Sequence, residues 1–178
     1  IRAPRSMIWD AITDPDRYPE FMSGITRWEL TGRAPLGDAS TMSSGPNGAG
    51  DEDEDRIGLG SRIRMLIKVG SAEIGGLIEI VEISERSDMA WSAVTGIDQR
   101  GRWRLRDAAR DCTRVELRFS YGIAGAGLSG LAAERVAAPI LRRRLRQSLY
   151  GLKRMVEQER LRREGAERRR QARAEPIA

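Results

Sequence analysis

Two short amphipathic helices, each with its own start signal, are written into residues 3–22, and no other stretch limits the fold of this chain as tightly. Pro4 suits a first helical turn, because the N–H it lacks would have no intrahelical partner. Ile8 and Ile12 then share one face beside Trp9. Asp14-Pro15 repeats the device: the carboxylate caps, the proline sets the first φ, and Tyr18, Phe21 and Met22 fall at i, i+3 and i+4. Pro19 confines this second helix to little more than a turn, and Gly24 ends it in a left-handed conformation.

Beyond Gly24, residues Ile25 to Thr31 alternate as a strand, and periodicity is then lost as far as Gly60. The middle of that stretch is rich in Gly, Ser, Ala and Pro and closes on the acidic run Asp51 to Asp55. Too little apolar surface is available there to offset ordering entropy, so an acidic loop at about 34–57 is expected to be disordered. From Arg62 the pattern is β again, with Ile63, Met65, Ile67 and Val69 on one face and Arg62, Arg64 and Lys68 on the other. Leu77 to Ser84, Met89 to Thr95, Gly101 to Asp107 and Thr113 to Ile123 follow across short polar turns, which predicts an antiparallel meander. Trp103 and Leu105 oppose Arg102, Arg104 and Arg106, while Phe119 and Tyr121 oppose Arg114 and Arg118. One face is therefore wet and the other lined by large apolar groups.

A long helix is predicted from about Leu128, with Leu131, Val136, Ile140, Leu145, Leu149, Leu152 and Val156 forming a stripe toward the sheet. Its end is strongly basic. Residues 142–178 carry 13 basic and five acidic side chains, against 18 and 21 in the rest of the chain. Residues 161–178 are expected as a basic tail, either a solvated extension of the helix or a frayed end.

Composition excludes several chemistries. With no histidine, the chain lacks the usual general base at neutral pH, the usual zinc ligand and any Ser-His-Asp triad, so neither metal nor bound redox cofactor is expected. A lone cysteine, Cys112, rules out an internal disulfide framework and fits a reducing cytoplasm, and the start shows no signal-peptide pattern; a cytoplasmic protein is expected.

Short helices, then a meander with one apolar face, then a long amphipathic helix describe an α+β protein in which the helix packs across the concave side of a curved sheet. The segment Ala3-Pro4, Ile8-Trp9-Asp10, Asp14-Pro15, Tyr18-Pro19-Glu20-Phe21 resembles the opening signature of the polyketide cyclase/dehydrase and lipid-transport (SRPBCC) family, within the START/Bet v 1-like helix-grip superfamily. Trp91, Gly101 with Trp103, and Cys112-Thr113-Arg114-Val115 leading to Phe119-Ser120-Tyr121 support the resemblance, which covers residues 1–160. Family members open with a full strand before the Ala-Pro step. Here only Ile1-Arg2 precede it, so the first strand is expected to be truncated by a fragmentary or misassigned start.

The resemblance implies a cavity between sheet and helix for a hydrophobic small molecule such as a lipid, quinone or aromatic polyketide. The apolar face nominates Met65, Ile67, Trp91, Trp103, Leu105, Phe119 and Tyr121 from the sheet and Leu131, Ile140 and Leu145 from the helix as its lining. Tyr18, Phe21 and Met22 are expected at the rim, with the mouth near Phe21, Met22 and the hinge of residues 125–130. An aromatase/cyclase alternative would use an inward arginine and tyrosine. The expected tyrosine position is Ile25, the strand Leu77 to Ser84 has no Arg or Lys, and Arg64, Tyr121, Glu79 and Glu82 are the remaining candidates. No residue is assigned a catalytic role. A further alternative is contact with an anionic membrane or RNA through the arginine-rich stretch 142–173, weakened for RNA by the lack of aromatics after Tyr150.

Overall fold

A computed structural model describes residues 1–33, 56–69, 71–122 and 127–174; the side chains of Val69, Ala72 and residues 121–138 are not part of that description. The elements run α1 (Arg5–Thr13), a 3-10 turn (Pro15–Arg17), α2 (Tyr18–Phe21), β1 (Ile25–Arg33), β2 (Ser61–Val69), β3 (Ala72–Ser84), β4 (Asp88–Thr95), β5 (Asp98–Ala108), β6 (Cys112–Gly122) and α3 (Gly127–Ala174). Pro4 stands at the N-cap of α1. The Asp14 carboxylate accepts from the Asp16 N–H at 3.0 Å, so the acid-proline pair opens the 3-10 turn as its sequence predicts.

The six strands form one antiparallel meander in the order β1-β2-β3-β4-β5-β6. Its alternation follows the charges. Ile63 and Met65 are buried while Arg64 is exposed, and on β5 Gln99, Gly101, Trp103 and Leu105 face inward. A register shift between Ile25 and Arg27 turns both Ile25 and Trp28 to the concave face, which strict alternation would have separated. At the start of the chain Ile1 and Thr113 exchange hydrogen bonds of 2.9 and 2.8 Å, and the Thr113 hydroxyl donates to the Ala3 carbonyl at 2.7 Å.

Helix α3 crosses the open side of the sheet. Gly151 lets it close on α2, since a Cβ there would lie 2.8 Å from the Phe21 carbonyl oxygen. Of the two forms expected for the basic tail, the described residues take the helical one, continuous to Ala174 and mostly exposed past Arg160. The acidic loop expected at about 34–57 lies outside the described residues except for its end. There the expectation fails: Ile57 is buried, its N–H donates to the Thr13 carbonyl at 3.0 Å, and Arg56 binds Asp10 and Thr13 at 3.0 and 3.1 Å. A single apolar residue after an acidic run carries no periodicity, which is why pattern alone left it in the loop.

Candidate functional site

The space between sheet and α3 divides into a filled half and an open half. The filled half lies under α1 and α2. Tyr18 and Trp103 are both wholly buried there, Tyr18 stacks on Trp28 with ring centroids 4.0 Å apart, and the Trp103 indole N–H donates to the Tyr18 hydroxyl at 3.0 Å. Burial pushes the Tyr18 phenol well above its ordinary range, against the smaller opposing effect of the Trp103 bond, so it is a neutral packing group. Ile8, Ile12, Leu105, Leu152 and Val156 complete this core.

The open half is a cavity of about 240 Å³. Its sheet wall comes from Ile25 and Trp28 of β1, Met65 and Ile67 of β2, Trp91 of β4, Gln99 of β5 and Phe119 of β6; its helix wall comes from Ile140, Leu141, Arg144, Leu145 and Ser148. Trp91 lies across Gly101, the residue it pairs with on β5, because a Cβ there would stand 1.9 Å from its Cζ2 atom. Gly101 thus gives one face of the indole its place against the sheet. Ile74, Ile97 and Ile140 are exposed at the mouth, Ile140 by 56%.

Polar groups in the lining are few. Arg144 is the only ionisable side chain among the described lining residues. Its Nη1 donates to the Lys68 carbonyl at 2.6 Å and packs over Gly24, tying α3 to the ends of β1 and β2. The Ser148 hydroxyl is satisfied twice, donating to the Arg144 carbonyl at 2.9 Å and accepting from the Ser23 N–H at 2.9 Å. Gln99 is 3% exposed and its amide Nε2 donates to the Met65 sulfur at 3.4 Å. The indole N–H groups of Trp28 and Trp91 are buried without a hydrogen-bond partner among the described residues.

Two other depressions lie outside this space. One, of about 550 Å³, lies on the outer sheet face beside Arg100, Arg102 and Arg118; the other, of about 680 Å³, lies between α1 and β1 beside Asp10, Asp14, Asp16 and Arg17. No cluster of His, Cys, Asp or Glu suited to a metal occurs among the described residues. On the outer face Asp88 is held by Arg104 at 3.1 Å, Arg106 at 2.9 Å and Arg102 at 3.6 Å. Glu82 pairs with Arg102 and Glu79 with Arg62, so neither carboxylate serves the cavity.

Of the residues nominated from sequence, Met65, Ile67, Trp91, Phe119, Ile140 and Leu145 border the cavity, together with Met22 at its rim. Trp103 and Leu105 do not: they share the concave face but lie beneath α1 and α2, in the filled half. Tyr18 and Phe21 are core rather than rim, for Tyr18 is sealed between Trp28 and Trp103 and Phe21 is covered by α3 at Gly151. The side chains of Tyr121 and Leu131 lie outside the described residues, as do residues 125 and 126 of the expected hinge. Sequence reasoning missed Ser23, Ile25, Trp28, Ile74, Ile97, Gln99, Leu141, Arg144 and Ser148. The available signal was weak: Trp28 is a bulky aromatic in a strand, but strict alternation cannot face it the same way as Ile25.

A family model for polyketide cyclase / dehydrase and lipid transport matches residues 1–157. A search of curated proteins finds no match. Among solved structures, TTHA0849 from Thermus thermophilus is 15% identical, with a TM-score of 0.66 over 89% of this chain and 93% of that one. A START superfamily protein from Mycobacterium smegmatis is 16% identical, with a TM-score of 0.58 over 89% and 92%. The di-domain ARO/CYC BexL from the BE-7585A biosynthetic pathway is 12% identical, with a TM-score of 0.58; 86% of this chain covers 44% of that one. Likeness at these identities speaks to the fold.

Proposed function

The chain belongs to the polyketide cyclase/dehydrase and lipid-transport family and has the helix-grip fold of START and Bet v 1-like proteins, and from that premise we propose that it binds a hydrophobic small molecule between its sheet and α3. The observation that carries this reading is the cavity itself, walled by Trp28, Trp91, Phe119 and Met65 and left open where the other half of the same space is packed solid. Enclosing about 300 Å² of ligand apolar surface at about 25 cal/mol per Å² yields about 7 kcal/mol before association entropy is subtracted, enough for micromolar affinity without chemistry.

Binding is favoured over aromatase/cyclase turnover because Glu79 and Glu82, the carboxylates nominated for turnover, pair with Arg62 and Arg102 away from the cavity. Cytoplasmic residence belongs to the same reading; the structural fact beside it is that no helix of the described residues is long and apolar enough to cross a membrane. A second reading rests on α3 past Arg160, where Arg162, Arg163, Arg168, Arg169, Arg170 and Arg173 stand on an exposed helix, a form suited to salt-sensitive contact with anionic lipid or RNA phosphates.

Native mass spectrometry of the purified protein, followed by solvent extraction, tests the main reading. The expected result is an added mass that is lost on denaturation, or, for protein stripped of ligand, saturable binding of anilinonaphthalene sulfonate that Phe119→Glu abolishes. An empty protein that binds no apolar probe would sink it.

A further inference from the structure

Among the described lining residues of the cavity, one side-chain amide hydrogen and two buried indole N–H groups have no hydrogen-bond acceptor. Gln99 is almost fully buried on the concave face of β5, yet its NH2 group rests on the Met65 thioether, a weak acceptor, at 3.4 Å. An amide nitrogen has two hydrogens, so the sulfur engages one of them and the other has no partner among the described residues. Trp91 occupies the place opposite Gly101, the inward residue next to Gln99, and its N–H is buried and unpartnered, as is that of Trp28 across the cavity. A buried donor left without an acceptor is costly, and cores rarely keep several together. The hydroxyl of Ser148, which could have answered them, is already committed to Ser23 and Arg144. No carboxylate lines the space among the described residues, and the one charge at its mouth, on Arg144, is again a donor.

We propose that Gln99 is the specificity-determining residue of this cavity and that the molecule it selects is a flat apolar compound bearing a carbonyl-type acceptor oxygen, which takes the free amide hydrogen. The inference rests on the binding reading above and narrows it, because a plain hydrocarbon or an acyl chain seated in the same walls leaves the Gln99 amide hydrogen unanswered. Aromatic walls at Trp28, Trp91 and Phe119 suit the flat frame, and the oxygen sets its orientation, directed at β5 rather than at the mouth. Gln99 supplies a donor and no proton transfer, so the proposal concerns recognition alone.

Fluorene and 9-fluorenone share one rigid ring frame and differ by replacement of a methylene with a carbonyl, which makes them suitable probes. Titrations followed by tryptophan fluorescence should show 9-fluorenone binding about tenfold more tightly than fluorene, the worth of about one buried hydrogen bond. Gln99→Leu should erase that preference, bringing the two affinities to within about twofold of each other. The infrared carbonyl stretch of bound fluorenone should be lowered in the parent protein and restored in the variant. If Gln99→Leu does not fold, Gln99→Met, which keeps the chain length and removes the donor, is read in the same way. Equal affinity for the two probes in the parent protein, or a preference that survives loss of the amide, overturns the proposal while leaving the cavity a binding site. Failure of both probes and of anilinonaphthalene sulfonate to bind overturns the binding reading itself.

Discussion

Trp91 and Trp103 occupy inward positions on neighbouring strands, and nothing in the sequence tells one from the other in depth along the concave face. Their fates differ because the face of a strand is set by its period, whereas depth along the cavity is set by what packs above. Trp103 meets Tyr18 and Phe21 of α2; Trp91 meets Phe119 and the open space. Of the ten nominated residues, four on the concave face and two on α3 border the cavity; a strand's facing can be read from its period, and the division between filled and open halves cannot. Trp103→Phe tests the division directly. Removing the indole N–H deprives the buried Tyr18 hydroxyl of its donor and should lower stability by about 1 kcal/mol, read as a lower urea midpoint at constant slope. Affinity for anilinonaphthalene sulfonate should not change. A loss of affinity at unchanged stability would move Trp103 into the cavity.

Strand β5 shows what element-level reasoning reaches and where it stops. Arg100, Arg102, Arg104 and Arg106 are legible as a wet face, but the start of the strand is hidden because Gly-Ile-Asp-Gln spells a turn. The true connection is only Gly96 and Ile97, with Gly96 at φ +87°, so Asp98 and Gln99 already belong to the strand and Gln99 points inward. Strand β3 likewise starts at Ala72 rather than Leu77, since Gly75 and Gly76 carry no side chains from which alternation could be read. In α3, Pro139 removes one backbone donor just before Ile140, the first of the described residues in the helix wall of the cavity. The arginine row on β5 converges on Asp88 of β4, whose side chain is 10% exposed. Burial alone would raise its pKa. Hydrogen bonds from Arg106, Ser87 and Arg104, with the charge of Arg106, outweigh that effect and hold the carboxyl well below its ordinary value of 3.8. A carboxyl depressed in the folded state gives stability that is complete above its unfolded pKa and is lost as pH falls below it. Asp88→Asn should therefore cost about 2 kcal/mol at pH 7 and flatten the loss of stability below about pH 4, measured as urea midpoints across an acid series. Part of the acid sensitivity should persist. Glu157 and Glu159 are also shifted down, against burial, by hydrogen bonds from Lys153 and the Arg2 N–H to the first and from Arg17 and Arg163 to the second. A variant as stable as the parent at pH 7 would show that the three arginines are held by the sheet alone.

At the scale of the whole molecule, α3 divides into three stretches with separate duties. Residues 140–148 wall the cavity, and Arg144 pins them to the ends of β1 and β2. Residues 149–160 close the core: Leu152 and Val156 are wholly buried, Arg17 binds Glu159 at 2.6 Å, and the Arg2 backbone is held by Glu157 at 2.7 Å and Arg160 at 3.1 Å. Past that point the helix runs on through exposed Leu161 and the arginines to Ala174, with intermediate burial only at Glu164, Gly165 and Ala166. The apolar stripe in the sequence ended near Val156, and the fold used it to that limit, because helix continues beyond a stripe when residues of good helix propensity follow and i,i+4 pairs such as Arg160–Glu164 and Arg163–Glu159 support it. Ending the chain after Glu164 should therefore shift Tm by less than about 2 °C and leave anilinonaphthalene sulfonate affinity unchanged, while helical ellipticity falls in proportion to the residues removed. Ending it after Arg146 removes Leu149, Leu152 and Val156 together and should abolish the cooperative melt. A large loss of Tm from the shorter deletion would mean that the exposed arm supports the body, and the basic stretch would then have a structural reason for its length that an anionic partner need not supply.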